Sequence, residues 1–325
     1  MNKIRFSTLD ALKALFAFFV VILHSPLFVG KEFLYPITRM AVPFFFIVSG
    51  YFCYNNSIEK LSNRIKRIFI LLVLSELLFG IWAIFVNRNN LTEYLTGIFN
   101  VKFILRVLIL NEQFFYVHLW YLQAYLYALV ILWALKFFKI EYTKKYIFVA
   151  VVILIYCLTM AEFLYNDGNF NPCMYRNWLL GLAFILIGMS IHNFQSVIVR
   201  YRRIYIILAL VSIIVGYSEA LLLNNFKQEL YIGIVCAVIT IFCFGISYPE
   251  FLKNSFVEKI GCKYSLYIYI IHPIVGHIVN VICMKLNISE LVNYAMPIVV
   301  YTLSIAAAYF YLMVKEYFYR RVSVK

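Results

Sequence analysis

Charged residues are scarce in this chain of 325 residues: aspartate, glutamate, lysine and arginine together account for 14% of it. Hydrophobic residues account for 64%, and the mean hydropathy is +0.86. Average usage is about 25% charged and about 45–50% apolar, so a soluble domain of this length could not bury so much apolar surface. Glycine and proline are also sparse, and no polar low-complexity linker interrupts the chain. We therefore expect one integral membrane domain over residues 1–325.

Cysteine patterns that hold metals are lacking as well. The seven cysteines are scattered, mostly in apolar segments, and none forms a Cys-x-x-Cys pair or a Cys/His cluster. We expect these cysteines to be small apolar packing residues. We expect no metal site, no disulfide framework and no tightly bound cofactor.

Long apolar runs are abundant, and a helix needs about 20 apolar residues to cross a bilayer. Ten segments approach that length, which predicts an all-α, polytopic membrane protein whose helices surround a polar central cavity. The predicted spans are residues 8–29, 33–54, 67–86, 116–138, 146–165, 177–194, 203–223, 229–248, 264–284 and 294–317. The stretch VKFILRVLIL, residues 101–110, is too short to cross and carries Lys102 and Arg106. We expect it to be a helix on the membrane interface.

Negative charge is the scarcer sign, since 15 acidic residues stand against 29 basic ones and the net charge is +14. With ten spans, most lysines and arginines fall on the side of the membrane that holds both termini. This asymmetry follows the positive-inside rule and predicts a cell-membrane protein with both termini in the cytoplasm. The basic balance therefore requires no nucleic-acid partner, and membrane lipids are the expected surroundings.

Ionisable residues interrupt the first apolar run, LDALKALFAFFVVILHS, at Asp10, Lys13 and His24. Lys13 and His24 are eleven residues apart, so in a helix they share one face about 16 Å apart, and Asp10 can pair with Lys13. A charge near the bilayer centre costs roughly 3 kcal/mol or more, so this face is expected to meet protein interior or water. The alternative is structural: Lys13 extends to the headgroups, and His24 is a hydrogen-bonded helix contact.

Two arginines three residues apart, Arg64 and Arg67, lie in NRIKRI at the predicted cytoplasmic entrance to the third span. They would share a helical face, and guanidinium groups bind phosphates bidentately. The alternative is an ordinary positive-inside cluster.

Further ionisable residues within the predicted spans are candidates to line the cavity or to bind an acceptor. They are Arg39, Glu76, Glu162, Glu219 and His272, and Asp10 is a candidate together with them. His272 precedes Pro273, which is expected to kink its helix. The alternatives are ion pairs between helices for the charged residues and a helix contact for His272. His192 and His277 are expected to be structural or interfacial.

These residues together resemble acyltransferase family 3, the bacterial multi-pass membrane enzymes that O-acylate cell-surface glycans. The resemblance is carried by LDALKALFAFFVVILHS, AVPFFFIVSGYFC, NRIKRI and SLYIYIIHP, with weaker matches in HLWYLQAYLYAL and RNWLLGLAFILIGMSI. Two positions depart from the family pattern. Lys13 stands where the family has an arginine, which keeps the charge but loses the bidentate fork. Gln123 stands where some members have a glutamate.

The resemblance implies transfer of an acyl group from cytoplasmic acyl-CoA to a hydroxyl of a cell-surface or lipid-linked glycan. Acetyl-CoA is the default co-substrate, and a succinyl donor is the other option. Lys13, Arg64 and Arg67 would hold the phosphates of the donor. His24 would be the general base, or else a nucleophile that carries the acyl group. The remaining alternatives are a transporter or flippase of a small or lipid-linked substrate and a catalytically silent membrane partner.

Overall fold

The structure is a computed structural model that describes residues 5–25, 31–140, 150–155, 157–158, 178–226, 228 and 230–322. Helices make up most of this part of the chain, and none of its residues lies in a β-strand. The helices belong to two compact units.

One unit comprises the segments 1–41, 201–229 and 233–325. Its helices are α1 (Ser7–His24), α2 (Lys31–Thr38), α10 (Tyr205–Leu222), α11 (Ile232–Ser247), α12 (Phe256–Lys263), α13 (Ser265–Lys285), α14 (Ser289–Val292) and α15 (Met296–Val322).

The other unit comprises the segments 42–200 and 230–232. Its helices are α3 (Ala41–Tyr51), α4 (Ile58–Val86), α5 (Leu91–Ile98), α6 (Val101–Leu110), α7 (Trp120–Phe137), α8 (Trp178–Asn193) and α9 (Gln195–Arg200).

Helix α1 is packed into the first unit against α2, α12, α13 and α15. Its buried positions, among them Leu9, Ala14 and Val21, face these neighbours. Small residues allow the close approach. A Cβ atom at Gly261 of α12 would overlap the carbonyl oxygen of Asp10, and one at Gly245 of α11 would press on Leu9. Glycine at such crossings lets helix backbones come together in the membrane.

The second unit has its own close crossing, between α3 and α8. A Cβ atom at Gly50 would overlap the backbone of Ile185, and one at Gly188 would overlap the carbonyl oxygen of Ile47. Helix α4 is preceded by Ser57, whose hydroxyl caps the helix by accepting a hydrogen bond from Lys60 N–H at 3.2 Å.

Seven described segments are long and apolar enough to cross a membrane, which confirms a multi-pass membrane protein. They are Ser7–His24, Glu32–Tyr51, Ile58–Val86, Val117–Phe137, Arg202–Leu222, Ser265–Lys285 and Met296–Tyr317. Two shorter apolar helices, Leu179–Asn193 and Ile232–Ser247, match two further predicted spans. The predicted span 146–165 falls mostly outside the described residues, so the count of ten and the central cavity stay predictions. The stretch 101–110 is helical, as expected, in α6.

Candidate functional site

A chain of ion pairs lies along the first turns of α1. The ammonium of Lys13 is 2.9 Å from Asp10 Oδ1, which confirms the pairing expected from their spacing. Arg5 Nε is 3.4 Å from Asp10 Oδ2, and Arg5 Nη2 is 3.0 Å from Glu258 Oε1. The adjacent Cys262, Asp10 and Glu258 raise the pKa of Arg5 through their negative charge when ionised. The network joins α1 to α12 and fixes the carboxylate that holds Lys13.

Glu258 was not expected from the sequence to take part in this site. Its side chain is only 5% exposed, and its Oε2 accepts a hydrogen bond from Asn254 N–H at 2.6 Å. Its own N–H donates to Ser255 Oγ at 3.1 Å. Ser255 and Glu258 thus form an arrangement close to a capping box, which is readable in the sequence as Ser-x-x-Glu before an apolar stretch.

The imidazole of His24 lies at the last residue of α1 and is exposed. Because α1 is unbroken from Ser7 to His24, Lys13 and His24 share one face as predicted. The ring of His272 lies next to it, with centroids 5.3 Å apart and ring planes inclined by 49°. His272 is 1% exposed. The structure therefore brings together two histidines that are 248 positions apart in the chain.

The orientation of His272 is set within its own helix. Its Nδ1 lies 3.0 Å from the carbonyl oxygen of Ile268 and 2.8 Å from that of Tyr269. Helix α13 continues through Pro273, and the expected kink at this residue stays a prediction. Both α1 and α15 pack on α13, and Tyr301 of α15 donates its hydroxyl hydrogen to Ala14 O at 2.8 Å.

Arg64 and Arg67, which both belong to the second unit, differ in their exposure and in their contacts. Arg64 is half-buried, and its Nη1 lies 2.6 Å from Cys53 Sγ, 3.4 Å from Ser49 O and 3.5 Å from the Tyr125 hydroxyl. The three partners are a thiol, a backbone carbonyl and a phenol hydroxyl. No carboxylate of the described chain forms an ion pair with Arg64, so its positive charge is not neutralised there.

Arg67 lies one turn further along α4 and is exposed. Cys53 and Tyr125 were not expected to contact the arginine pair, since no spacing rule connects residues on three helices or turns. The donor-binding set predicted from the sequence is thus divided between the units: Lys13 belongs to the first, and Arg64 and Arg67 to the second. A common cavity for all three stays a prediction.

The remaining candidate cavity residues each have different neighbours. Glu76 was expected either to line a cavity or to form an ion pair, but within the described ranges it has no ion-pair partner, and its Oε2 is buried without a hydrogen-bond partner. Arg39 is half-buried and lies over the ring of Tyr35, with Cζ 5.6 Å from the ring centroid. Glu219 accepts a hydrogen bond from Gly233 N–H at 3.0 Å and so caps the start of α11. Glu162 lies outside the described residues.

His192, which is expected to be structural or interfacial, packs against two tyrosine rings. Its ring stacks on Tyr54 with a centroid separation of 4.7 Å, and it packs against Tyr51 at 4.9 Å. The described residues contain no group of three or more His, Cys, Asp or Glu side chains that could hold a metal ion.

Residues 6–314 match the family model Acyl_transf_3, described as an acyltransferase domain. The chain belongs to acyltransferase family 3. The match covers nearly all of the sequence and includes both compact units. This membership and the long apolar helices make the chain a multi-pass membrane protein of the acyltransferase family.

A curated relative is an amino-acid racemase from Enterococcus faecalis, 25% identical over 273 residues. The match covers 80% of this chain but 34% of the relative, so the chain spans about a third of that protein's length. No solved structure matches the chain.

Proposed function

We propose that this protein is a membrane O-acyltransferase that moves an acyl group from cytoplasmic acyl-CoA to a hydroxyl of a cell-surface or lipid-linked glycan. Acetyl is the proposed acyl group, and the protein is placed in the cell membrane with both termini in the cytoplasm. The observation that carries the proposal is the exposed imidazole of His24, held at the end of α1 beside the buried ring of His272. A base must be reachable by its substrate and held in position by its surroundings.

The charge of Arg64 supports binding of an anionic donor. Arg5 and Arg106 are each compensated by a carboxylate, whereas Arg64 is held by a thiol, a carbonyl and a phenol. These neutral groups orient the guanidinium without cancelling its charge. Phosphate groups of a coenzyme A donor would supply the missing negative charge. Arg67, exposed on the next turn, is the second proposed phosphate ligand, and Lys13, steadied by Asp10, is the third.

In the proposed reaction, His24 removes the proton of the acceptor hydroxyl. The oxygen attacks the thioester carbonyl, a C–O bond forms, the C–S bond breaks, and the proton passes from His24 to the departing thiolate of coenzyme A. If His24 acts instead as a nucleophile, an acyl-imidazole forms first and the hydroxyl then displaces it. Native mass spectrometry at neutral pH of the protein mixed with acetyl-CoA, without acceptor, distinguishes the two routes, since only the second adds an acetyl group to the protein.

The test is the O-acetyl content of surface glycans in a deletion strain that carries either wild-type protein or His24→Ala. We expect acetylation with wild type and none with His24→Ala at equal membrane abundance. His192→Phe is the matched control, because it keeps an aromatic ring between Tyr51 and Tyr54 and should retain acetylation. Normal acetylation in His24→Ala would reject the role of His24.

Lys13→Arg examines the position at which the chain departs from its family. Because arginine keeps the charge and adds a bidentate fork, we expect equal or tighter binding of acetyl-CoA, measured by calorimetry on detergent-purified protein. Loss of binding would mean that the role of Lys13 is to pair with Asp10 in the network that joins α1 to α12, and not to bind the donor.

A transporter is the second candidate, and Glu76 is the observation that favours it. A carboxyl group within a membrane-spanning helix, with one oxygen buried and lacking a hydrogen-bond partner, is typical of proton and ion pathways. A transporter would not need to bind acyl-CoA. Absence of acetyl-CoA binding by wild-type protein, with glycan acetylation unaffected by its deletion, would favour this candidate.

A further inference from the structure

Helix α6 carries a groove on its exposed side, and none of the proposed catalytic or donor-binding residues belongs to its lining. The groove has a volume of about 580 Å³, within the range of about 300–1,000 Å³ that is usual for sites of small molecules. Its lining is apolar apart from two cations. The lining residues are Val101, Lys102, Leu105, Arg106, Ile109 and Leu110.

The last turn of α6 is fixed against α7 by side chains of α7. The last four carbonyls of a helix have no donor within the helix. Gln123 Nε2 donates to Val107 O at 2.6 Å. The Tyr127 hydroxyl donates to Leu108 O at 2.7 Å. These bonds set the rotation of α6 about its axis, so the groove is on a defined face of the helix.

One stripe on the exposed side of α6 is apolar throughout. Val101, Leu105 and Ile109 are exposed and recur every four residues, so they form a continuous line along the helix. An exposed apolar stripe of this kind is unfavourable against water and marks a surface that meets a membrane or a partner. Because the chain is a multi-pass membrane protein, the chains of lipids are the expected contact.

Two cations lie four residues apart at one edge of this stripe, and they differ in their partners. The guanidinium of Arg106 is paired with Glu112. Lys102 is exposed, and no carboxylate in the described ranges forms an ion pair with it. An uncompensated cation beside hydrocarbon is costly. The groove therefore combines an apolar surface with one positive charge that a ligand can neutralise.

We propose that this groove is a binding site for one anionic phospholipid of the phosphatidylglycerol class. An acyl chain lies along Leu105 and Ile109, and the phosphate lies against the ammonium of Lys102. Charge complementarity selects this occupant, because one uncompensated lysine matches a headgroup with one negative charge. A zwitterionic phospholipid brings its own cation, and a free phosphate ion has no chain to cover the stripe. The site does not depend on the proposed acyl transfer.

Native mass spectrometry of the full chain in an uncharged detergent tests the headgroup contact. The protein is mixed with equal amounts of dioleoylphosphatidylglycerol and dioleoylphosphatidylcholine. We expect wild type to prefer phosphatidylglycerol and Lys102→Gln to lower this preference about fivefold, the contribution of one lysine at an anionic membrane surface. Lys102→Arg should retain it. Lys285→Gln is the matched control, because Lys285 is exposed at the end of α13 and does not line the groove. Equal preference in wild type and Lys102→Gln would overturn the inference.

Photo-crosslinking tests the position of the acyl chain. Ile109 and Leu108 are neighbours with similar exposure, 62% and 59%, but of these two only Ile109 lines the groove. A benzophenone amino acid replaces one or the other in the full chain, in phosphatidylcholine vesicles that contain a minor share of phosphatidylglycerol. We expect phosphatidylglycerol to exceed its share among the lipid adducts at Ile109 and to match its share at Leu108. Adding Lys102→Gln should bring the adducts at Ile109 down to that share.

Each other occupant of the groove gives a different result. Adducts at Ile109 that follow the composition of the vesicle would mean that bulk lipid covers the groove. A cross-link from Ile109 to a second copy of the chain would mean that protein covers it. An excess of phosphatidylglycerol that persists in Lys102→Gln would mean that Lys102 does not hold the headgroup. Any of these three results would overturn the inference, whatever the outcome for glycan acylation.

Discussion

Gly261 of α12 lies against Asp10 of α1 so closely that a Cβ atom would overlap the Asp10 carbonyl oxygen and crowd Ala14 N. Both partners of this contact are backbone atoms, which cannot turn away as a flexible side chain can. The crossing therefore determines where α1 runs, and with it the positions of Lys13 and His24.

Gly261→Ala should consequently destabilise the protein by about 1–3 kcal/mol, the usual cost of overpacking, and lower glycan acylation. The matched control is Gly97→Ala in α5, where a Cβ atom would meet nothing within 4 Å; alanine is the better helix former, so stability should be equal or slightly higher. Thermal unfolding in detergent measures both. Equal melting temperatures for the two variants would contradict the close crossing.

Two ion pairs of the first unit provide a second comparison. Glu258 is 5% exposed and also accepts from Asn254 N–H, whereas Glu250 is 66% exposed and pairs with Lys253. Removing a buried acceptor leaves a donor unsatisfied, so Glu258→Ala should cost about 1–3 kcal/mol. Glu250→Ala should cost less than about 0.5 kcal/mol, as is usual for surface pairs. Thermal unfolding measures both variants. A larger loss of stability in Glu250→Ala than in Glu258→Ala would contradict the greater contribution assigned to the buried Glu258.

Substitution of each of the two arginines of α4 should distinguish effects on stability from effects on donor binding. We expect Arg64→Ala to lower both the melting temperature and acetyl-CoA affinity, since Arg64 also joins Cys53 and Tyr125. Arg67→Ala should lower affinity only, because its side chain is exposed. Each affinity loss should be about tenfold, consistent with roughly 1.5 kcal/mol for a hydrogen bond to a charged group.

Lys66→Ala is the control for that comparison, because Lys66 is an exposed cation of the same helix that lies about 200° around the axis from Arg64 and about 100° from Arg67. It removes the same charge and should leave affinity nearly unchanged. A loss as large as that of Arg67→Ala would show that only the general positive field of α4 matters.

The predicted orientation of the chain in the membrane, with both termini in the cytoplasm, can be measured by thiol labelling. Cys262 is exposed in α12, and Lys285 is exposed at the far end of α13. In a background without the other cysteines, a membrane-impermeant maleimide should label Cys262 only after cells are permeabilised. Lys285→Cys, in a background without Cys262, should be labelled in intact cells. The reverse pattern would place the termini outside.

Much of the helical architecture could be predicted from hydropathy because a bilayer demands about 20 apolar residues per crossing. Residues 203–223 and 264–284 were expected to span, and Arg202–Leu222 and Ser265–Lys285 do so by length and composition. The pairing of Asp10 with Lys13 could also be predicted, since contacts three residues apart follow from helical geometry. The expected kink at Pro273 stays a prediction, although α13 is helical on both sides of the proline.

The sequence by itself determined that this is a polytopic helical membrane protein, that Lys13 and His24 share a face, and that its motifs are those of acyltransferase family 3. These properties depend on local periodicity and on runs of adjacent residues. Only the tertiary structure decided that His272 lies beside His24, that Glu258 completes the ion pairs of α1, and that Cys53 and Tyr125 hold Arg64. These contacts join residues far apart in the chain, and they depend on how closely the helices pack, which glycines such as Gly261 allow.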